Sequence, residues 1–322
     1  METSVAVPEK IKPADALASL LEKDEQLRGL FHEDFGTDPK LAAKGIIDLR
    51  DALAQFPQYA NILQVLAPVF LGLTAERGAT FGTQIERIPK QDQRKLESFF
   101  NERGFMIVDH AKKTSMIEQL ISHLRALLLN KVVDKPNKSV INLSCAAKII
   151  DNTRKRGLDV FPPEINSFAV LRRWLSHTPA WLANGVTRKE IVNVRLGLLS
   201  GYPVRSVLEH RETMRAENRL YNHAKKSGIA AEDNIPQPSD ENADVPERVR
   251  KTASLLKGHE YLGMKEDVAL LERTIKIRGC KVTSAADATW FADLEAYGNR
   301  ALTLAQRHGL LIGLPLMNLT QL

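Results

Sequence analysis

The sequence predicts an all-α protein, a multi-helix bundle in two or three packed helical units with at most one or two short isolated strands. Three observations lead there. Leu and Ala are plentiful while aromatic residues make up 6% of the 322 residues, which suits helices packed by aliphatic side chains better than a sheet rich in Val, Ile, Thr and aromatics. Apolar residues recur at three- and four-residue spacing in segment after segment, as a helix face requires. Start and stop residues, Asp or Ser before a periodic run and Gly or Pro after it, punctuate that pattern. Apolar residues at 43% and charged residues at 26% belong to a globular chain, long enough for two domains and an ample core.

Residues 1–12 read as a flexible tail and 13–135 as an N-terminal helical unit. Its first helix begins near Pro13-Ala14-Asp15, with Leu17, Leu20, Leu21, Leu27 and Leu30 inward. After a turn at 35–39, Asp38 is the N-cap and Pro39 the first residue of a helix that presents Leu41, Ile46, Ile47, Leu49 and Leu53 and stops near Phe56-Pro57. The apolar stretch 59–74 is interrupted by Asn61, Gln64 and Pro68 and falls short of the ~20 residues of a membrane span. It reads as a core helix kinked or restarted near Pro68. Arg77-Gly78 and Phe81-Gly82 loosen the chain and Ile88-Pro89 breaks it. A helix over 91–103 ends on Gly104, and 105–108 is either a strand or a buried connector. Ser115 and Glu118 have capping-box spacing ahead of Ile117, Leu120, Ile121, Leu124, Leu127 and Leu128, the clearest helical period in the chain.

A polar break at 134–137 opens a basic middle helical unit, 136–228. It holds a helix over 139–154, a turn at Arg156-Gly157, a helix opening at Phe161-Pro162-Pro163-Glu164, and a helix–turn–helix over 187–226. Residues 229–247 contain six Asp/Glu, three Pro and no Lys/Arg, the composition of an acidic flexible linker. The C-terminal helical unit, 248–322, has helices over about 246–257, 265–277 and 284–308, with 274–277 alternatively extended. Arg195 to Pro203 and Arg307 to Pro315 agree at six of nine positions, either one helix-stop device used twice or a duplicated unit.

The net charge of +6 is uneven. Residues 148–226 carry fifteen Lys/Arg against seven Asp/Glu, a balance of +8 that leaves the remainder at −2. A basic face, and so an anionic partner, is implied. The two cysteines, Cys145 and Cys280, form no metal-ligand spacing and fit a reducing, cytoplasmic setting. Met1-Glu2 leads into mixed polar sequence with no basic segment before an apolar one, so no secretory signal is expected.

No sequence motif points to catalysis. Neither phosphate-binding glycine loop is present, His259-Glu260 lacks a second His at metalloprotease spacing, and Ser200 lacks the glycine spacing of a nucleophile elbow. Asp34-Phe35-Gly36 matches a kinase triplet with none of its companions. No catalytic residue, metal site, cofactor or small-molecule ligand is expected, and no membrane partner.

The helix–turn–helix carries the functional expectation. Gly197, Gly201 and Val207 have the small-residue, turn-glycine and aliphatic spacing of such a unit, with the second helix starting near Pro203. In that helix Val204 and Leu208 share a face that continues as Arg211, Arg215 and Arg219, flanked by Glu212 and Glu217, with Val207, Met214 and Tyr221 alongside. A strip that begins buried becomes a row of guanidinium groups, each able to grip a phosphate or carboxylate with two N–H donors. The expected binding residues are Arg188, Lys189, Arg205, Arg211, Arg215 and Arg219. The leading expectation is a non-catalytic interaction or adaptor protein that binds an acidic protein. The first alternative is DNA or RNA binding through the same region, and the second an enzyme whose site is assembled by tertiary contacts alone. The acidic stretch after this helix is expected to fold back over the Arg row.

Overall fold

The computed structural model describes residues 13–30, 38–109, 138–158, 161, 167, 169–170, 172, 194–195, 197–229, 245–272, 275–277, 280–282 and 286–311. These are mostly α-helical with a small three-stranded antiparallel sheet and one two-stranded hairpin. The expected tail, the helix after Ser115, the 134–137 break and most of the acidic stretch lie outside the described residues.

The first periodic stretch divides into α1 (Pro13–Lys23) and α2 (Glu25–Gly29) because Asp24 stops to cap the second piece, accepting from Leu27 N–H at 3.0 Å. Leu17, Leu21 and Leu27 are buried. Helix α3 (Pro39–Gln55) starts on Asp38, whose carboxylate accepts from Lys40 N–H at 2.9 Å. It packs against α1. Its Gly45 lies against Phe70 instead: a Cβ there would meet the Phe70 carbonyl oxygen at 1.7 Å. The apolar stretch becomes a 3₁₀ turn (Pro57–Tyr59), α4 (Ala60–Val65) and α5 (Ala67–Phe70), restarting at Pro68 as the sequence indicates.

Strand β1 (Glu76–Arg77) precedes α6 (Ala79–Ile85), which runs through the Phe81-Gly82 pair expected to loosen the chain. Phe81 is fully buried, and that burial holds the helix despite its glycine. Helix α7 (Lys90–Glu102) ends on Gly104 at φ 84° and feeds β2 (Phe105–Asp109). Residues expected to begin a helix at 139 instead form β3 (Lys138–Asn142). Val140 and Ile141 are β-branched and enter the sheet, and Asn142 caps α8 (Leu143–Lys155) by accepting from Cys145 N–H at 3.1 Å. The sheet order is β1-β3-β2, with Ile107 opposite Val140. Paired strands thus replace the isolated ones expected, and β2 and β3 lie on either side of the 135/136 boundary.

Helix α9 (Val204–Lys226) is followed by α10 (Val245–Leu255), α11 (Met264–Glu272), the hairpin β4 (Ile275–Ile277) and β5 (Cys280–Val282), and α12 (Ala286–Arg307). Two apolar cores result. The main one gathers α1–α8, the start of α9 and α12, while the second holds Ala216, Leu220 and Ala224 of α9 with Val249, Leu256, Met264 and Leu271. Helix α12 returns to the beginning of the chain: Arg300 donates to Asp24 from Nε at 3.1 Å and Nη2 at 2.8 Å. Over their described residues the two similar nonapeptides differ. Gly197 is helical with the left-handed residue at Gly201, whereas its counterpart Gly309 is itself left-handed at φ 68°.

Candidate functional site

Helix α9 belongs to both cores, and that sets which of its residues face water. With 23 residues at about 1.5 Å each it is about 35 Å long. Its start is fixed by the turn before it. Gly201, at φ 86°, lies where a Cβ would meet Thr74 Cγ2 at 2.9 Å and the Leu73 carbonyl at 3.0 Å. Ala75 N–H donates to Leu199 O at 2.7 Å, and Trp290 Nε1–H donates to Gly201 O at 2.8 Å. Gly197 lies against Val207, where an added Cβ would come within 2.9 Å of Cγ2. The spacing of Gly197, Gly201 and Val207 in the sequence therefore corresponds to a close crossing of two helical segments.

Val204 and Val207 bury one side of α9 in the main core, and Ala216, Leu220 and Ala224 bury nearly the opposite side in the second. Where the first burial ends, that side continues outward as Arg211, Arg215, Asn218 and Asn222. Val207, expected in the apolar stripe alongside that face, is core; Met214 and Tyr221 are half-buried beside the ridge. Glu217, expected to flank the Arg row, is 5% exposed and turned inward. The helix has six Lys/Arg and three Glu, and withdrawing one Glu leaves its outer face more basic than the sequence implies.

Each described arginine of the set has a carboxylate partner. Arg205 Nε donates to Glu209 one turn on at 2.8 Å, with its own side chain 76% exposed. Arg211 donates to Glu212 Oε1 from Nε at 3.2 Å and Nη2 at 3.0 Å, and Arg215 Nη1 donates to the same oxygen at 3.1 Å. Glu212 thus accepts from two guanidinium groups. Arg219 differs, because its partner comes from another element: Nε and Nη2 donate to the two oxygens of Asp267 on α11 at 2.8 and 2.6 Å. Tyr261 Oη–H also donates to Asp267, at 2.7 Å. These bonds hold the Asp267 carboxyl below the usual carboxylate range, Arg219 first and Tyr261 after burial opposes them. Arg219 therefore fastens α11 to α9. Arg188 and Lys189 lie outside the described residues.

Asp267 and Tyr261 have no sequence signal to tie them to Arg219, being dozens of positions away. Among the described residues no group of three or more His, Cys, Asp or Glu is arranged to hold a metal ion. Cys145 is buried with its thiol pushed up to about 12 by desolvation, and Sγ–H donates to Gly72 O at 3.4 Å. It is a core residue without nucleophile character. No described helix is long and apolar enough to cross a membrane. No protein-family model, curated protein or solved structure matches the chain.

Proposed function

We propose that the protein is a non-catalytic interaction protein of the cytoplasm whose α9 ridge receives an acidic segment of a partner protein. One observation carries the reading: Arg211 and Arg215 divide a single carboxylate oxygen of Glu212 on a helix face outside both cores. A partner carboxylate entering there meets planar N–H donors suited to two-pronged binding. Met214 and Tyr221 beside the ridge supply apolar area that an extended acidic peptide can cover.

The nucleic-acid alternative draws less from the same helix. A recognition helix offers its first turns to a groove, whereas Val204, Ser206 and Val207 are buried, leaving Arg205 outward. Binding of labelled poly-glutamate and of a duplex DNA to the full chain, by fluorescence anisotropy over a salt series, tests the proposal. Poly-glutamate should bind, and Arg211→Gln/Arg215→Gln should weaken it about tenfold, with a further loss in Tyr221→Ala. Preferential DNA binding that falls linearly on a log–log salt plot, unaffected by Tyr221→Ala, would assign the ridge to phosphate instead.

A further inference from the structure

The positive charge of the α9 ridge is concentrated in one helical turn. Arg205, before it, is paired with Glu209, and Arg219, after it, is committed to Asp267 on α11. Past Arg215 the outward face continues as Asn218 and Asn222, which are exposed and uncharged. Arg211 and Arg215 stand one turn apart, with about 5–6 Å between their Cβ atoms. Glu212 already bridges them: its Oε1 accepts from Arg211 Nε at 3.2 Å and Nη2 at 3.0 Å, and from Arg215 Nη1 at 3.1 Å. The Glu212 side chain is 44% exposed, so it can turn out into water when another anion takes its place.

We propose that Glu212 is an internal competitor at the ridge, and that the group able to displace it is the phosphate of a phosphorylated acidic segment. The inference rests on the acidic-partner reading and names the chemistry of the partner's anchoring group. A carboxylate arriving at Arg211 and Arg215 only exchanges one carboxylate for another. Glu212 is moreover tethered to the same helix and has none of the ordering cost of an incoming chain. A phosphomonoester carries about −1.5 to −2 at neutral pH and three acceptor oxygens. It therefore meets both guanidinium groups at once and with more charge than Glu212 offers them. Confinement of the cations to one turn points the same way. It suits a single doubly charged group better than a run of carboxylates, which would extend over Asn218 and Asn222 where the ridge is uncharged.

Fluorescence anisotropy on the full chain tests this with three labelled peptides, in which aspartates flank a central phosphoserine, glutamate or serine. The phosphoserine peptide should bind about tenfold tighter than the glutamate peptide, and the serine peptide more weakly than either. Glu212→Gln should tighten the phosphoserine and glutamate peptides alike, by about threefold, since both displace the same side chain. Unlabelled free phosphoserine should compete at least about tenfold more weakly than the phosphoserine peptide, because it leaves Met214 and Tyr221 uncovered. Unaltered helical circular dichroism in Glu212→Gln excludes unfolding as a cause. Equal affinity for the phosphoserine and glutamate peptides overturns the proposal. So does a Glu212→Gln affinity equal to or below that of the parent chain, which would make Glu212 a residue that positions the two arginines. Free phosphoserine that matches the peptide overturns it as well and assigns the turn to a small phosphate ester. In each of these cases continued binding of poly-glutamate leaves the acidic-partner reading standing, whereas no binding of any probe removes both.

Discussion

Arg219 and Asp267 are 48 residues apart in sequence and joined by two hydrogen bonds in the fold. The Asp267 side chain is 8% exposed and that of Arg219 52%, so removing the arginine leaves a carboxylate that water hardly reaches without its counter-charge, with the Tyr261 hydroxyl still donating to it. Arg219→Ala should cost about 2–3 kcal/mol in urea denaturation. Arg211→Ala, which leaves Glu212 in solvent with Arg215, should cost under about 1 kcal/mol. Equal costs would mean that Arg219 is no more structural than its neighbours. The pH dependence has a definite sign. Asp267 is held below its ordinary value by Arg219, so its contribution is complete above the unfolded value near ~3.9 and is lost as pH falls through the lower folded value. The stability gap between the parent chain and Asp267→Asn should therefore persist from neutral pH to about 4 and close below it, a comparison chemical denaturation can follow.

For the elements, close approach is set by glycines whose obstacles differ in kind. Gly197→Ala drives a methyl group into Val207 Cγ2, a side-chain atom. It should cost about 1–3 kcal/mol, and Val207→Ala should relieve part of that in a double-mutant cycle. Simple additivity would show that the two segments do not meet there. Gly45→Ala has no such rescue, because the obstacle is the Phe70 backbone carbonyl. Phe70→Ala leaves that carbonyl in place, and thermal denaturation should show the two losses accumulating without relief. The turn at Gly201 and the start of α9 after Pro203 were legible because turn glycine, Pro203 and small-residue spacing are all local. Strand β3 was not, since a five-residue run beside a helix takes its identity from β1 and β2, more than 25 positions upstream in the register Met106 to Ile141.

Over the whole molecule, α9 is the one described helix that contributes buried residues to both apolar cores. Damage to one core should remain largely local. Leu220→Ala, at a loss of about 2–4 kcal/mol, should speed amide exchange in α10, α11 and the second half of α9 while α1 and α3 stay protected. Uniform acceleration in hydrogen-exchange mass spectrometry would make the two cores a single cooperative unit. The junction of α1 and α2 is tied to α12 by Asp24 and Arg300, a bond that holds the Asp24 carboxyl low. As with Asp267, this tie contributes above the ordinary carboxylate range and is lost in acid.

From residue order alone came the helical class, the caps at Asp38 and Gly104, the turn at Gly201 and the basic excess of the middle region. Each depends on neighbours within a few positions, and helix periodicity and capping are interactions of that range. Tertiary structure decided which charges remain for a partner. Packing turned Glu217 inward, committed Arg219 to Asp267, placed Val207 in a core and left Leu262 in water. A side chain's exposure depends on what distant segments lay over it, and spacing along one helix carries no record of that.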